Sequence, residues 1–186
     1  MIEKKYEELC STPSDINEHL ETLKNLATGK DVVELGVREV VSTWALLMGR
    51  PKRLSSFDIY RSTNIDLALE AASKEGIDFN FKVGSSLEAF IPVCDVLFID
   101  TWHHYCQLKL ELERLHSGVR ERIALHDTVT YAHVCDEWEG YPDIYPKCPG
   151  KGIWDALEEF LEEHKEWSIE KHSENNNGLT IIVKNA

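Results

Sequence analysis

No apolar run in this 186-residue chain approaches the roughly 20 residues needed to cross a bilayer, which excludes a membrane-spanning helix. Basic residues are in short supply: 20 Lys and Arg face 33 Asp and Glu, for a formal charge of −13. Phosphate backbones are held by clustered cations, so nucleic acid is not expected as the main partner. The longest basic stretch, GRPKR at 49–53, falls at an expected helix end, where the helix dipole favours cations. The five cysteines (Cys10, Cys94, Cys106, Cys135 and Cys148) contain no C-x-x-C pair. Their odd number and spacing argue against a disulfide framework and a four-sulfur zinc site, and most are expected as small buried hydrophobes. The charged N-terminus, MIEKKYEELC, lacks the apolar stretch of a secretory signal, so a cytoplasmic protein without a membrane partner is expected.

What is present suits one domain over 1–186. The composition, 42% hydrophobic and 28% charged, is that of a globular chain long enough to bury a full core. Residues 12–30 hold an amphipathic segment with Ile16, Leu20, Leu23 and Leu26 at helical spacing, Ser14 as N-cap and Gly29 as stop. Apolar strands are predicted at Val32–Leu35, Leu54–Ile59, Phe79–Val83, Val96–Ile99 and Ile123–Leu125. Helices are predicted near Ser42–Met48, Ile65–Lys74, Ser86–Phe90 and Tyr105–Leu115. Strands apolar throughout and separated by helices imply a parallel sheet covered on both faces. The end of the chain differs: IWDALEEFLEEH reads as a helix, and WSIEKH and LTIIVK as a hairpin turned by Asn177-Gly178. Residues 128–152, with three prolines among Trp138, Tyr141 and Tyr145, are a substrate lid or a plain surface loop. Trp44 and Trp154 are expected in the core.

Ligands of parallel α/β sheets bind beyond the carboxyl ends of the strands. Each of the five strands finishes there in polar groups. The first ends in Glu34, Gly36 and Arg38, with Ser42 and Thr43 opening the next helix. The second ends in Asp58, and the third in Gly84, Ser85 and Ser86. The fourth runs into Asp100, Thr101, Trp102, His103 and His104, and the fifth into His126, Asp127 and Thr128. Asp58, 22 residues beyond Gly36, is placed either to accept hydrogen bonds from a ribose or to serve as a turn aspartate. The loop GVREVVS lacks both G-x-G-x-x-G and G-K-[ST], which disfavours a pyrophosphate. A nucleoside without phosphates demands less: one close backbone approach and donors for a carboxylate.

Taken in order, VVELGVREVVST, SSFDIY, LFIDTWHHYCQLKLELE, ALHDTV and NNNGLTIIV resemble a class I S-adenosylmethionine-dependent methyltransferase. The likeness runs from about residue 12 to the end, and is strongest to a small single-domain subfamily associated with sugar and polysaccharide tailoring. It implies a Rossmann-like α/β sandwich whose seven-stranded, mostly parallel sheet carries a C-terminal antiparallel hairpin strand. It implies S-adenosyl-L-methionine as cofactor, with Glu34, Gly36 and Ser42 along its methionine part, Asp58 at the ribose, and Ser85 and Ser86 beside the adenine. The pattern I-D-G-x-H-x-Y with a following acid is matched by Asp100, His103, Tyr105 and Glu111, with Thr101 in place of the glycine. Val40 likewise stands where a glycine is usual.

Methyl transfer from a sulfonium needs an aligned acceptor and removal of its proton. His103 is a candidate general base, since an imidazole titrates near working pH, or else a binding residue. Asp100 and Asp127, ending adjacent strands, could converge on Mg²⁺ assisted by His126 or His104, or form a solvated network in which His126 caps backbone groups. Trp102 could stack on a sugar or on the cofactor. The expected reaction is O-methylation of a small hydroxylated acceptor such as a saccharide. Rival readings are a methyltransferase-like binding module without turnover, and a metal-assisted hydroxylase or hydrolase on the same fold.

Overall fold

The computed structural model describes residues 1–136 and 150–185. Five parallel strands form one body: β1 (Asp31–Leu35), β2 (Arg53–Asp58), β3 (Asp78–Val83), β4 (Cys94–Ile99) and β5 (Val119–His126). Two further strands, β6 (Trp167–Ser173) and β7 (Leu179–Lys184), pair antiparallel with each other, and β7 also pairs antiparallel with β5. The resulting seven-stranded sheet has the order β3-β2-β1-β4-β5-β7-β6. The sequence of strand connections therefore reverses direction between β1 and β4, where an open α/β sheet presents its crevice.

Alternate side chains of these strands supply two cores. Val32, Val96, Phe98, Ala124 and Ile181 pack under α1 (Ile2–Ser11), α2 (Leu20–Ala27), α3 (Val41–Met48) and α4 (Ile65–Lys74). Val33, Leu35, Leu97, Ile99, Ile123 and Leu125 pack under α5 (Tyr105–Leu115) and α6 (Ile153–Glu163). All six helices have 8 to 11 residues, too short to persist alone. What holds them is burial, worth roughly 1.5–3 kcal/mol for each fully enclosed large apolar side chain. α3 is the extreme case, with Ser42 through Leu47 all buried.

The expected strands are all found, and the hairpin turns through Asn176, Asn177 and Gly178 at φ +48°, +68° and +96°. Several local expectations are corrected. Ser86–Phe90 is a turn and not a helix, because Ser86 is drawn into side-chain bonds with α5. The 12–30 segment is helical only from Asn17, as a 3-10 turn (Asn17–His19) leading into α2; Ser14 accepts from the Ile16 amide within a turn that precedes it. α1 was not expected, yet Ile2, Tyr6, Leu9 and Cys10 fall at i, i+4, i+7 and i+8 and pack on the core. The third strand is not buried on both faces, since β3 lies at the sheet edge. Trp44 is in the core as expected, whereas Trp154 is half-buried and donates its Nε1–H to Glu158. Cys135 is disulfide-bonded, contrary to the expectation from spacing, and only Cys94 of the free cysteines is buried. Trp138, Tyr141 and Tyr145 of the expected lid lie outside the described residues. No helix among the described residues is long and apolar enough to cross a membrane.

Candidate functional site

Beyond the carboxyl ends of β1, β2 and β4 lies a cavity of about 240 Å³, its wall including Gly36, Asp58, Ser85, Asp100, Trp102 and His103. Gly36 brings β1 and β4 together at the floor. Its φ is +85°, and a Cβ there would sit 1.9 Å from the Asp100 carbonyl oxygen. The strand ladders continue through this crossing, with Gly36 N–H donating to Phe57 O (2.9 Å) and Asp100 N–H to Leu35 O (2.8 Å). No side chain fits between them, so the glycine is a steric requirement.

Asp58 holds the loop that follows. Its Oδ2 accepts from the Val37 and Arg38 amides at 2.8 and 2.9 Å, and its Oδ1 from the Tyr60 amide at 2.9 Å. The turn-aspartate role is therefore filled, while Asp58 also faces the cavity. A carboxylate has about four acceptor positions, so one remains for a ligand hydroxyl. Four residues past Gly36, Val40 has φ +69° and ψ +16° and is fully buried. That is the backbone shape glycine adopts freely and a β-branched residue adopts at a cost. The chain has kept the glycine conformation without the glycine.

Glu34 and Ser42, expected along the cofactor, are not on the cavity wall. Glu34 is fully buried and accepts hydroxyl bonds from Ser42 (2.6 Å), Thr43 (2.9 Å) and Ser56 (2.5 Å). Desolvation raises its pKa to about 7, with the three hydroxyls opposing. Glu34 thus ties β1 and β2 to the start of α3, and acts on the site by positioning the loop. Ser85 and Ser86 reach the wall, but the Ser86 hydroxyl is committed to Glu111 on α5.

Glu111 also takes bonds from Thr101 (2.9 Å) and Gln107 (2.7 Å). Thr101 therefore has a partner that a glycine would lack. This buried group fixes the 84–87 turn and the end of β4 to α5, and Gln107 lines the cavity as well. Sequence reasoning missed Gln107; its spacing of four from Glu111 on one helix was the available signal. Tyr105, matched by motif, points elsewhere: its hydroxyl donates to Glu159 of α6 (2.6 Å). His104 is the N-cap of α5, its Nδ1 accepting from the Cys106 amide.

At the other side of the cavity two carboxylates meet two imidazoles. His103 Nε2 lies 2.9 Å from Asp127 Oδ2 and 3.5 Å from Asp100 Oδ1. His126 Nδ1 lies 3.0 and 3.3 Å from the same two oxygens, while its Nε2 faces the Asn176 carbonyl at 3.2 Å. Both His126 nitrogens therefore donate, which makes that ring an imidazolium. Burial lowers both histidines and the paired carboxylates outweigh it, raising His103 to about 9 and His126 to about 10. Burial raises Asp127, and the bonds from His103 and His126 more than reverse it, leaving its carboxyl far below the usual range. The expectation that His103 titrates near working pH is overturned by these two neighbours.

His103 also stacks on Tyr131 (4.6 Å), and its Nδ1 is buried without a hydrogen-bond partner, 3.7 Å from Asp136 Oδ2. Trp102 stacks on His104 at 4.3 Å and donates to the Asp136 carbonyl. The described start of the 128–152 segment thus folds back over the 102–104 loop. Asp100, His103 and Asp127 offer ligand atoms within 4.8 Å of one another. That donor set fits Mg²⁺ poorly. Mg²⁺ takes oxygen ligands in octahedral array, whereas this set contains a nitrogen and its carboxylates are already matched by two imidazoles.

No family model matches the chain, and no curated protein sequence matches it. Solved structures do. N-methyltransferase NodS from Bradyrhizobium japonicum WM9 in complex with S-adenosyl-L-homocysteine aligns with TM-score 0.62 at 12% identity, over 97% of this chain and 98% of that one. Cofactor-bound Rv0187 from MTB aligns with TM-score 0.65 at 14% identity, over 98% and 87%. A putative caffeoyl-CoA O-methyltransferase from Staphylococcus aureus aligns with TM-score 0.57 at 17% identity, over 98% and 91%. The chain therefore has the Rossmann-like α/β fold of these methyltransferase structures, including the antiparallel pair at its C-terminal end.

Proposed function

We propose that the protein is an S-adenosylmethionine-dependent methyltransferase acting on an oxygen of a small hydroxylated acceptor such as a saccharide. The observation that carries this reading is the single cavity at the β1/β4 reversal, on which Gly36, Asp58, Ser85, Asp100 and His103 all open. Bound S-adenosylmethionine would supply an activated methyl group on a sulfonium.

In this reading Gly36 gives the close backbone approach, and the free acceptor position of Asp58 takes a ribose hydroxyl. Ser85 borders the adenine. The carboxylate of Asp100 favours a positive charge nearby, as a sulfonium provides. His103 takes the acceptor's proton: Asp127 holds Nε2–H, so the neutral ring presents Nδ1 as the accepting atom. A positive charge in the cavity lowers the cost of losing the proton from a ring otherwise held at about 9. Asp127 and His126 orient that ring. Tyr131 and Asp136 cover Nδ1, so entry of an acceptor requires the segment after β5 to move aside. No step here runs through a metal.

Calorimetric titration with S-adenosylhomocysteine, followed by a methyl-transfer assay over a panel of saccharides and other small hydroxylated compounds, tests the reading in two stages. Absence of binding would remove the cofactor assignment. Binding without transfer to any hydroxylated acceptor would leave the chain a binding module.

A further inference from the structure

Away from the cavity, four side chains converge where α5 and α6 end side by side. Glu113 lies in the last turn of α5, His116 in the 3-10 turn His116–Gly118 that follows, His164 at the C-cap of α6, and Glu166 just before β6. The two imidazole rings are 4.2 Å apart. His164 Nε2 lies 3.3 Å from both oxygens of Glu113, and its Nδ1 lies 3.6 Å from Glu166 Oε1. His116 Nδ1 is 3.8 Å from the same Glu166 oxygen, and is enclosed without a hydrogen-bond partner. Phe160 backs both rings, at 5.4 Å from His116 and 4.5 Å from His164.

An ordinary ion pair accounts for part of this. His164, at the end of α6, is placed to pair with Glu113. It does not account for His116. The His116 Nδ1 is enclosed with no hydrogen-bond partner, which is costly for a buried polar atom. Two imidazoles converging with a carboxylate are the donor set of a borderline divalent cation.

We propose that Glu113, His116 and His164 bind one Zn²⁺ ion that fastens the end of α5 to the end of α6, with water in the fourth position. Each of the three offers a ligand atom within 4.8 Å of the others. Tetrahedral zinc with bonds of about 2.1 Å brings its ligand atoms to about 3.4 Å apart, so closure takes only a small side-chain movement. Two imidazoles and one carboxylate suit Zn²⁺ better than Mg²⁺ or Ca²⁺, which prefer oxygen alone. Glu113 is 40% exposed, so an ion can enter from solvent. None of the three lines the cavity. α5, with 11 residues, separates the site from the cavity end of that helix by roughly 15 Å. The site is therefore a structural fastener, independent of the proposed methyl transfer.

The test is calorimetric titration of chelator-treated protein, carrying no histidine tag, with Zn²⁺. The Asp100–His103–Asp127 set could also bind zinc, so the titration is run in parallel on Asp127→Asn. The expected result is a site that persists in Asp127→Asn and weakens at least tenfold in both His116→Gln and His164→Gln. Co²⁺ at that site should give the intense visible absorption of tetrahedral coordination. If a histidine variant does not fold, Glu113→Gln, altered at an exposed side chain, takes its place with the same expectation. No zinc binding by the parent protein, binding unchanged by these substitutions, or binding lost in Asp127→Asn alone would overturn the proposal.

Discussion

The two walls of the cavity are made by different means. The Gly36–Arg38 wall is a backbone construction: a glycine crossing and three amides gathered by Asp58, with Val40 held at φ +69° in the core behind it. The His103 wall is a side-chain construction, in which two carboxylates and two imidazoles hold one another by charge. The first wall fixes a shape and has almost no freedom. The second fixes a protonation state, which pH and ligands can change. In the proposed function, binding falls to the rigid wall and proton transfer to the titratable one.

Gly36→Ala breaks the first wall outright. A Cβ 1.9 Å from the Asp100 carbonyl oxygen forces the strands apart, so loss of S-adenosylhomocysteine binding is expected, with destabilisation above about 3 kcal/mol in urea unfolding. His103→Ala sharpens the division of labour: cofactor affinity is retained while turnover falls about 10²–10⁴-fold, the usual reach of a general base. If turnover stays at the parent rate, His103 is not the base. Asp58→Ala should do the reverse, weakening cofactor binding about 10- to 100-fold through the lost ligand bond and the released loop. Normal binding in that variant would remove the ribose assignment.

The charge wall also sets a pH signature. His103, raised to about 9, becomes a base only as pH rises, so kcat/KM should climb toward pH 9. Asp127→Asn removes one of its two anionic partners and should move that climb to lower pH. For stability the sign is opposite. Histidines whose pKa is raised on folding stabilise fully below their ordinary value of 6.5, and that contribution fades as pH rises through about 9 to 10. The lowered Asp100 and Asp127 contribute above the ordinary 3.8 and lose their contribution as pH falls. Unfolding free energy should therefore show the cluster's share at its greatest between about pH 4 and 6.5, and Asp127→Asn should flatten that profile. The smallest effect is expected at Val40. In Val40→Gly, release of roughly 1–2 kcal/mol of left-handed strain offsets the loss of a buried side chain, leaving stability within about 1 kcal/mol of the parent.

The sheet was legible in the sequence because its strands are unbroken apolar runs and each ends in polar residues on one rim. Gly36, Asp58, Ser85, Asp100 and His103 reach one cavity for that reason. What was not legible depended on partners distant in sequence. Glu34 and Ser42 flank the loop in the chain, yet they bond to each other below it. Ser86 and Thr101 looked free until Glu111 placed its carboxylate between them. The protonation of His103 followed from Asp127, which lies one strand away. Local pattern locates a side chain along the rim, but it does not reveal what that side chain has already bonded.

The most direct test is a crystal structure of the protein with S-adenosylhomocysteine. The adenosine is expected in the cavity, its ribose hydroxyls on Asp58, the backbone at Gly36 close against it and the sulfur facing His103. A ligand bound elsewhere, or a ribose out of reach of Asp58, would contradict it.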